Sequence, residues 1–424
     1  MTPLPARAAI RRVRALWLVC LAVLSSASRA AAQTAAPQPE NSLQIFLMTM
    51  GPGAEVWERF GHNAIWVRDS AAGRDLVYNY GTFDFRDPNL VPHFAMGRPI
   101  YWLGVGDLEG TLREYAARER SVEVQELNLS PRERAEIALR LAQNATPEQR
   151  NYRYDYYRDN CSTRVRDLLD GILGGALRRA TEGQPAEGTL RWHTHRSLTN
   201  DKLLYVGILA ALGPAVDQPL DQWGEMFLPR KLQERVRELS VVGPDGRTVP
   251  LVKREARLVD IDRYRVEPEP PNWGPLFSLV AIAVTLLLLS GLIAGPLGVP
   301  GQIAGALWLL TVGIGGLVLL FLWIVSNHTA AARNHNLLLL SPVALLVIPG
   351  VLSARRRGPG AWAPRAAWFV IGSVIIGSLL AALPSIGGQW NLQIAQLTAL
   401  PSLAAAWLSI RLSPRRDPAP PSPR

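Results

Sequence analysis

Apolar residues fall in short, closely spaced runs over the first 270 residues and in long, almost uncharged runs after them, so the two parts of the chain bury their side chains in different surroundings. Residues 43–50 and 64–67 read as strands, 76–80 continues them, and 121–129 alternates apolar and polar side chains with period two. Ser130-Pro131-Arg132-Glu133 is a capping box with proline at the first helical position, opening a helix to about Asn144. A second helix starts near Cys161, with Val165, Leu168, Leu169, Ile172 and Leu173 on one face, and Gly174-Gly175 stops it. Residues 224–239 should be helical, and 241–242 with 249–252, joined through Pro244-Asp245-Gly246, read as a hairpin. The segment from about Gln33 to Asn272 is therefore expected to be an α+β domain, with a core at about 40–200 and accessory helices and a hairpin at about 200–272.

Past Pro270-Pro271 the apolar runs lie at 276–294, 303–325, 337–352, 366–383 and 392–410. A 19-residue helix covers roughly 28 Å at ~1.5 Å per residue, enough to cross a hydrocarbon core, so five spans are expected over 273–411, followed by a cytoplasmic tail at 412–424. The third run has only 16 residues and contains Pro342 and Pro349, which predicts a broken or tilted element. At the other end, Arg7, Arg11, Arg12 and Arg14 precede the apolar run 15–24 and the small residues Ala30-Ala31-Ala32, the pattern of a secretory signal peptide cleaved after Ala32. Read instead as an uncleaved anchor, the same segment still exports the domain that follows.

Charge separates the two parts further. The net charge of +10 invites a nucleic-acid reading, but residues 33–272 hold 31 basic and 34 acidic side chains, whereas the remainder holds 14 basic and one acidic. The basic excess flanks the apolar runs, as the positive-inside rule requires of a membrane protein, and nucleic acid is dropped as a partner. That rule puts Arg355-Arg356-Arg357, Arg365, Arg411, Arg415 and Arg416 on the cytoplasmic side, and residues 326–336 and 385–391 on the side of the exported domain.

Of the two cysteines, Cys20 lies in the leader, so the mature chain keeps Cys161 and can form no internal disulfide. Within Asp159-Asn160-Cys161-Ser162-Thr163-Arg164 the thiol stands at a helix start, where the positive end of the helix dipole should lower its pKa toward the thiolate. The bland alternative is a small cysteine packed under the helix. A thiol nucleophile needs a base, and His62 in Phe60-Gly61-His62-Asn63-Ala64-Ile65 is the best candidate. Asn79, in Val77-Tyr78-Asn79-Tyr80-Gly81, either orients the imidazole or is a turn residue at a strand end. His93 falls in a presumed surface loop. His193 and His195 alternate as zinc ligands on a strand would, but without cysteines or a helical His-Glu pair nearby no metal is expected. Tyr152, Tyr154, Tyr156 and Tyr157 either wall a substrate pocket or form an edge strand packed on the core. Ser326-Asn327-His328 and Arg333-Asn334-His335-Asn336 crowd polar groups at the outer ends of the second and third spans, where they face water or line a headgroup site.

These pieces resemble the Lnb family of lipoprotein N-acyltransferases. Its marks are Phe60-Gly61-His62-Asn63-Ala64-Ile65, Tyr78-Asn79-Tyr80-Gly81-Thr82-Phe83-Asp84-Phe85, Asp159-Asn160-Cys161-Ser162-Thr163-Arg164, and Ser326-Asn327-His328 with Asn334-His335-Asn336-Leu337-Leu338. The resemblance implies an α+β, circularly permuted papain-like domain of the NlpC/P60 kind on the periplasmic side, followed by a five-helix domain in the bacterial inner membrane. It implies Cys161 as nucleophile, His62 as base and Asn79 as third residue, with Asn160, Arg164, Tyr154, His328 and Asn336 assigned to substrate. No cofactor is called for. The partners implied are a phospholipid acyl donor and a lipoprotein acceptor. Two other functions fit parts of the pattern: a membrane-anchored peptidoglycan or peptide amidase, since the same thiol-histidine pair cuts amides, and a membrane assembly protein without turnover, which would be expected to have lost the cysteine or the histidine. Five spans exceed what an anchored amidase needs.

Overall fold

The structure, a computed structural model, describes residues 42–243, 246–352 and 362–413. The leader with its cleavage point, the turn residues Pro244 and Asp245, the arginines at 355–357 and the tail beyond 413 lie outside the described residues.

Four predicted strands form the centre of a seven-stranded antiparallel sheet. In chain order they are β1 (Leu43–Met50), β2 (His62–Asp69), β3 (Arg74–Thr82), β4 (Ile100–Asp107), β5 (Val122–Leu127) and β6 (Asn151–Arg153); two small two-stranded sheets use β7 (Pro185–Thr189) with β8 (Pro219–Asp221) and β9 (Ser240–Val242) with β10 (Thr248–Pro250), and β11 (Val252–Val259) returns to the large one. The order across the large sheet is β11-β5-β1-β2-β3-β4-β6. Strand alternation sends Ile45 and Leu47 to one face and Phe46, Met48 and Met50 to the other, and both faces are covered. Over the first lie the helices Pro131–Asn144, Cys161–Ile172 and Pro229–Glu238, which bury Ile137, Leu141, Val165, Leu169, Leu232 and Val236. Against the second packs the helix Leu108–Ala117, with Leu108 and Leu112 on Phe46 and its neighbours.

Several local expectations hold. Ser130 and Glu133 form the reciprocal capping box, with Pro131 at the first helical position. Gly174 and Gly175, at φ of 60° and 83°, end the Cys161 helix. The hairpin forms between β9 and β10.

Others are corrected. The expected 224–239 helix is two helices, Gln222–Glu225 and Pro229–Glu238, because proline excludes the helical conformation from Leu228 before it and serves instead as the first residue of a new helix. Residues 200–272 are not accessory: β11 pairs with β5, and Leu232 and Val236 share the core with Cys161. For the same reason β5 is not half-exposed. Gln125 and Glu126, its polar positions, are buried, and Lys253 of β11 donates to Glu126 at 3.1 Å. His193 and His195 lie on a helix, Leu190–Ser197, and His93 on the short helix Leu90–Ala95.

In the second part, three helical segments among the described residues are long and apolar enough to cross a membrane: Gly274–Leu292, Gly295–Ile324 and Trp362–Ala382. The expected third span is instead a chain of short elements, Asn336–Leu339, the 3₁₀ segment Pro342–Val347 and Ile348–Leu352, broken where the prolines remove helical hydrogen bonds. The last helix, Leu392–Leu412, is 21 residues long but more polar; it carries Pro401 and buries small side chains such as Ser402, Ala404, Ala405 and Ser409 against its neighbours.

The two parts are joined by hydrogen bonds. Helix Lys202–Ala211 ends against the membrane part, and its terminal carbonyls are taken by side-chain amides: Asn334 Nδ2 donates to Ala210 O at 2.7 Å, Asn336 Nδ2 to the same oxygen at 2.9 Å, and Gln389 Nε2 to Leu212 O at 3.1 Å. From the soluble side Arg191 reaches the same end, donating to Leu212 O and Gly213 O at 3.0 and 2.9 Å while paired with Asp217.

Candidate active site

Cys161 is the first residue of its helix, and the turn before it is held by Asn160. The Asn160 Oδ1 accepts from the Ser162 and Thr163 N–H groups at 2.8 and 2.9 Å, and its Nδ2 donates to the carbonyls of Tyr156 and Phe227 at 2.8 and 2.9 Å. Both donors and the acceptor are spent and the side chain is buried, so Asn160 positions the helix and is not a ligand for substrate, a correction to its assignment. Ser162 Oγ donates to Met226 O at 2.7 Å. The position of Cys161 therefore depends on residues 226 and 227, far along the chain.

Strand β2 brings His62. Gly61, at φ +80°, turns the chain into it, and a side chain there would place Cβ 2.7 Å from Met50 O. His62 opens the strand, and its Nε2 lies 3.3 Å from Asn79 Oδ1 on β3. The next residue, Asn63, is buried with its amide bonded to Met48 O and Thr49 Oγ1, and its backbone N–H reaches the Cys161 sulfur. One strand thus carries the imidazole and, in the next residue, the backbone donor to the thiol.

The protonation states differ from the expectation of a lowered thiol pKa. Burial pushes the Cys161 pKa up, outweighing the backbone N–H groups of Asn63 and Ser162, the positive charge of Arg120 and its own N–H, all of which pull it down. The His62 pKa is lowered to about 4, first by burial and then by the charge of Arg120, against the bond to Asn79. At neutral pH the resting pair is neutral thiol and neutral imidazole, with no standing thiolate. Since burial disfavours the thiolate, alkylation of Cys161 by iodoacetamide is expected to rise about tenfold per pH unit through the neutral range and to continue rising past pH ~9. A plateau between about pH 5 and 7 would instead reveal a preformed thiolate–imidazolium pair.

Arg120 had no distinguishing signal in the sequence, where Arg118-Glu119-Arg120 reads as surface charge. It is buried, its Nε donates to Gly51 O at 2.8 Å, it pairs with the equally buried Glu58 at 3.2 Å, and its Nη2 has no partner. Its field acts on both His62 and Cys161 and adds to the burial that keeps the imidazole unprotonated.

An aromatic wall runs away from the thiol. Gly81, at φ +88°, lies so close that a Cβ there would be 3.7 Å from the Cys161 Cβ and 3.6 Å from the Tyr154 ring. From Tyr154 the rings continue through Tyr101 at 4.5 Å, Phe83 at 4.9 Å and Phe85 at 4.9 Å to Trp57 at 4.7 Å. Phe85 and Trp57 are exposed, so the line of rings connects the surface with the thiol. Tyr152, on the edge strand β6, keeps a buried hydroxyl without a partner near the same point. Of the tyrosine run, Tyr154 is the ring that links Gly81, next to Cys161, with Tyr101. Trp57 and Tyr101 come from distant elements and were not readable as members.

The remaining candidates lie elsewhere. Arg164 is bidentate with Asp159 at 2.6 and 2.8 Å and sits 3.7 Å over the Tyr152 ring. Asn336 is fully buried and spent on the helix end described above and on Asn391, which corrects its assignment to substrate. The His328 Nε2 lies 2.7 Å from Phe94 O, and Asn327 Nδ2 donates to Met96 O at 3.2 Å, so this loop docks the helix Leu90–Ala95. His193 is buried against Glu225 at 2.9 Å, and His195 packs on Tyr205. Among the described residues no group of three or more His, Cys, Asp or Glu side chains is arranged to hold a metal.

Residues 31–201 match a family model described as the Lnb N-terminal periplasmic domain, and residues 273–410 match one described as the Lnb transmembrane domain. The two matches follow one another in the chain and cover nearly three quarters of it. Comparison with curated proteins and with solved structures finds no match.

Proposed function

The chain belongs to the Lnb family, a membrane protein with a periplasmic domain, and from that premise we propose that it is a lipoprotein N-acyltransferase of the bacterial inner membrane. In this reading Cys161 is the nucleophile, His62 the base and Asn79 the residue that orients the ring, within a permuted papain-like domain facing the periplasm above a membrane domain of five transmembrane segments. The observation that carries the reading is the Asn63 N–H on the Cys161 sulfur directly after His62, which is itself paired with Asn79, in a domain bonded to apolar helices.

The proton starts on sulfur. His62 takes it as the sulfur attacks an ester carbonyl of a phospholipid, and backbone N–H groups around the thiol stabilise the oxyanion. The carbon–oxygen bond breaks, the departing lysophospholipid oxygen takes the proton from His62, and a thioester remains on Cys161. The α-amine of a lipidated N-terminal cysteine then attacks the thioester, His62 accepts the amine proton, and it returns that proton to the departing sulfur. The products are lysophospholipid and N-acylated lipoprotein. Both substrates are amphiphiles held at one membrane surface, and a thiol tethered there gains effective concentration over one in free solution.

Intact-mass measurement after incubation with phospholipid, with and without hydroxylamine, tests this. The expected result is an acyl-sized increment mapping to Cys161 and released by hydroxylamine. No increment on a Cys161 that still reacts with iodoacetamide would favour amide hydrolysis instead.

A further inference from the structure

Where the soluble part meets the first membrane helix there is an open cavity of about 580 Å³ lined by Arg59, Thr199, Asn200, Asp201, Lys202 and Trp273. Its walls come from three places: the segment leading into His62, the start of helix Lys202–Ala211, and the residue before helix Gly274–Leu289. Arg59 is three residues from His62, and the Phe60 ring between them packs on Tyr156 at 4.8 Å.

The charges of the cavity are unbalanced. Neither Arg59 nor Lys202 has an acidic partner among the described residues, and the Lys202 ammonium lies 4.9 Å over the Trp273 ring. Asp201 is the one carboxylate in the lining, and its Oδ1 already accepts the Leu204 N–H at 3.0 Å as a helix cap. Two cations against one carboxylate leave one positive charge. Two lining residues also carry buried donors without acceptors, Arg59 Nε and Trp273 Nε1. A buried donor without a partner is costly, and an anionic oxygen brought within reach relieves it.

We propose that this cavity binds the phosphate of the phospholipid donor. The inference rests on the acyltransferase reading and names where that substrate's headgroup sits. A phosphodiester supplies the single negative charge and the oxygen acceptors that the lining lacks, and the cavity's place at the foot of the first membrane helix suits a ligand whose chains stay among apolar side chains. Glycerol 3-phosphate in solution presents a phosphate without the chains, so the test separates the two sources.

The test uses full-length Cys161→Ala protein in maltoside micelles, which cannot turn over, and measures binding of dihexanoylphosphatidylglycerol, dihexanoylglycerol and glycerol 3-phosphate. Arg59→Gln with Lys202→Gln should weaken the phospholipid at least about tenfold and leave dihexanoylglycerol unchanged, whereas Arg59→Lys with Lys202→Arg should stay within about threefold. Unchanged phospholipid binding in the glutamine variant, or equal loss for the phosphate-free lipid, overturns the site. Glycerol 3-phosphate binding as tightly as the phospholipid overturns the lipid assignment. Because binding is read without catalysis, failure of the thioester experiment and failure of this one are separate results.

Discussion

Cys161→Ala is expected to remove the hydroxylamine-sensitive adduct completely and to lower acyl transfer by at least about 10⁴-fold, with expression and thermal stability near those of the parent. The thiol contributes little to packing that alanine cannot keep: the helix start is held by Asn160, Ser162 and Thr163. Cys161→Ser should be as inactive, since the hydroxyl is harder to deprotonate and burial at this point disfavours the anion further. His62→Ala should slow thioester formation by about 10²–10⁴-fold, the usual worth of a general base, because a thiol that burial keeps neutral must lose its proton as it attacks. Acyl transfer persisting in Cys161→Ala would eliminate the covalent route.

Arg191→Leu should have the largest effect on stability, about 3–5 kcal/mol by thermal unfolding of the full chain in detergent. The guanidinium is buried, lies 2.6 and 3.0 Å from the two Asp217 oxygens and donates to three carbonyls at the end of helix Lys202–Ala211. Its removal strands both a charge and those carbonyls. Arg191→Leu combined with Asp217→Leu should recover part of the loss, because no buried ion is then left unpaired. A loss below about 1 kcal/mol in the single variant would show that the pair holds little, and that the amides of Asn334, Asn336 and Gln389 carry the junction.

What the sequence revealed and what it hid follow the range of the forces involved. Ser130-Pro131-Arg132-Glu133 and Asn160-Cys161 are local signals, closed by hydrogen bonds within a few residues, and both helices begin where those signals put them. His62 and Asn79 sit on adjacent strands in a continuous run, so proposing that they meet required one hairpin. By contrast β11 joins the sheet from 125 residues beyond its partner β5, and nothing in Val252–Val259 names that partner. Arg120 and Glu58 look like ordinary surface charges until the fold buries them together. The direction of the Cys161 pKa was missed for a related reason: helix position is visible in the sequence, whereas the apolar surroundings that outweigh it are assembled from Tyr152, Val165 and strands far away. Asn336 was read as a headgroup ligand because it is polar at a membrane boundary; its partner is the end of a helix that lies some 125 residues earlier.

The buried, protonated state of Cys161 also bears on how long the protein lasts. A thiolate attacks peroxides and disulfides at a rate set by its abundance and exposure, and a periplasmic domain works where such oxidants are present. A thiol that burial keeps protonated offers them little anion. The described residues include no second cysteine to rescue a sulfenic acid by disulfide exchange. Keeping the sulfur neutral at rest is thus a form of chemical self-protection, in which slower attack on casual electrophiles is exchanged for a longer working life.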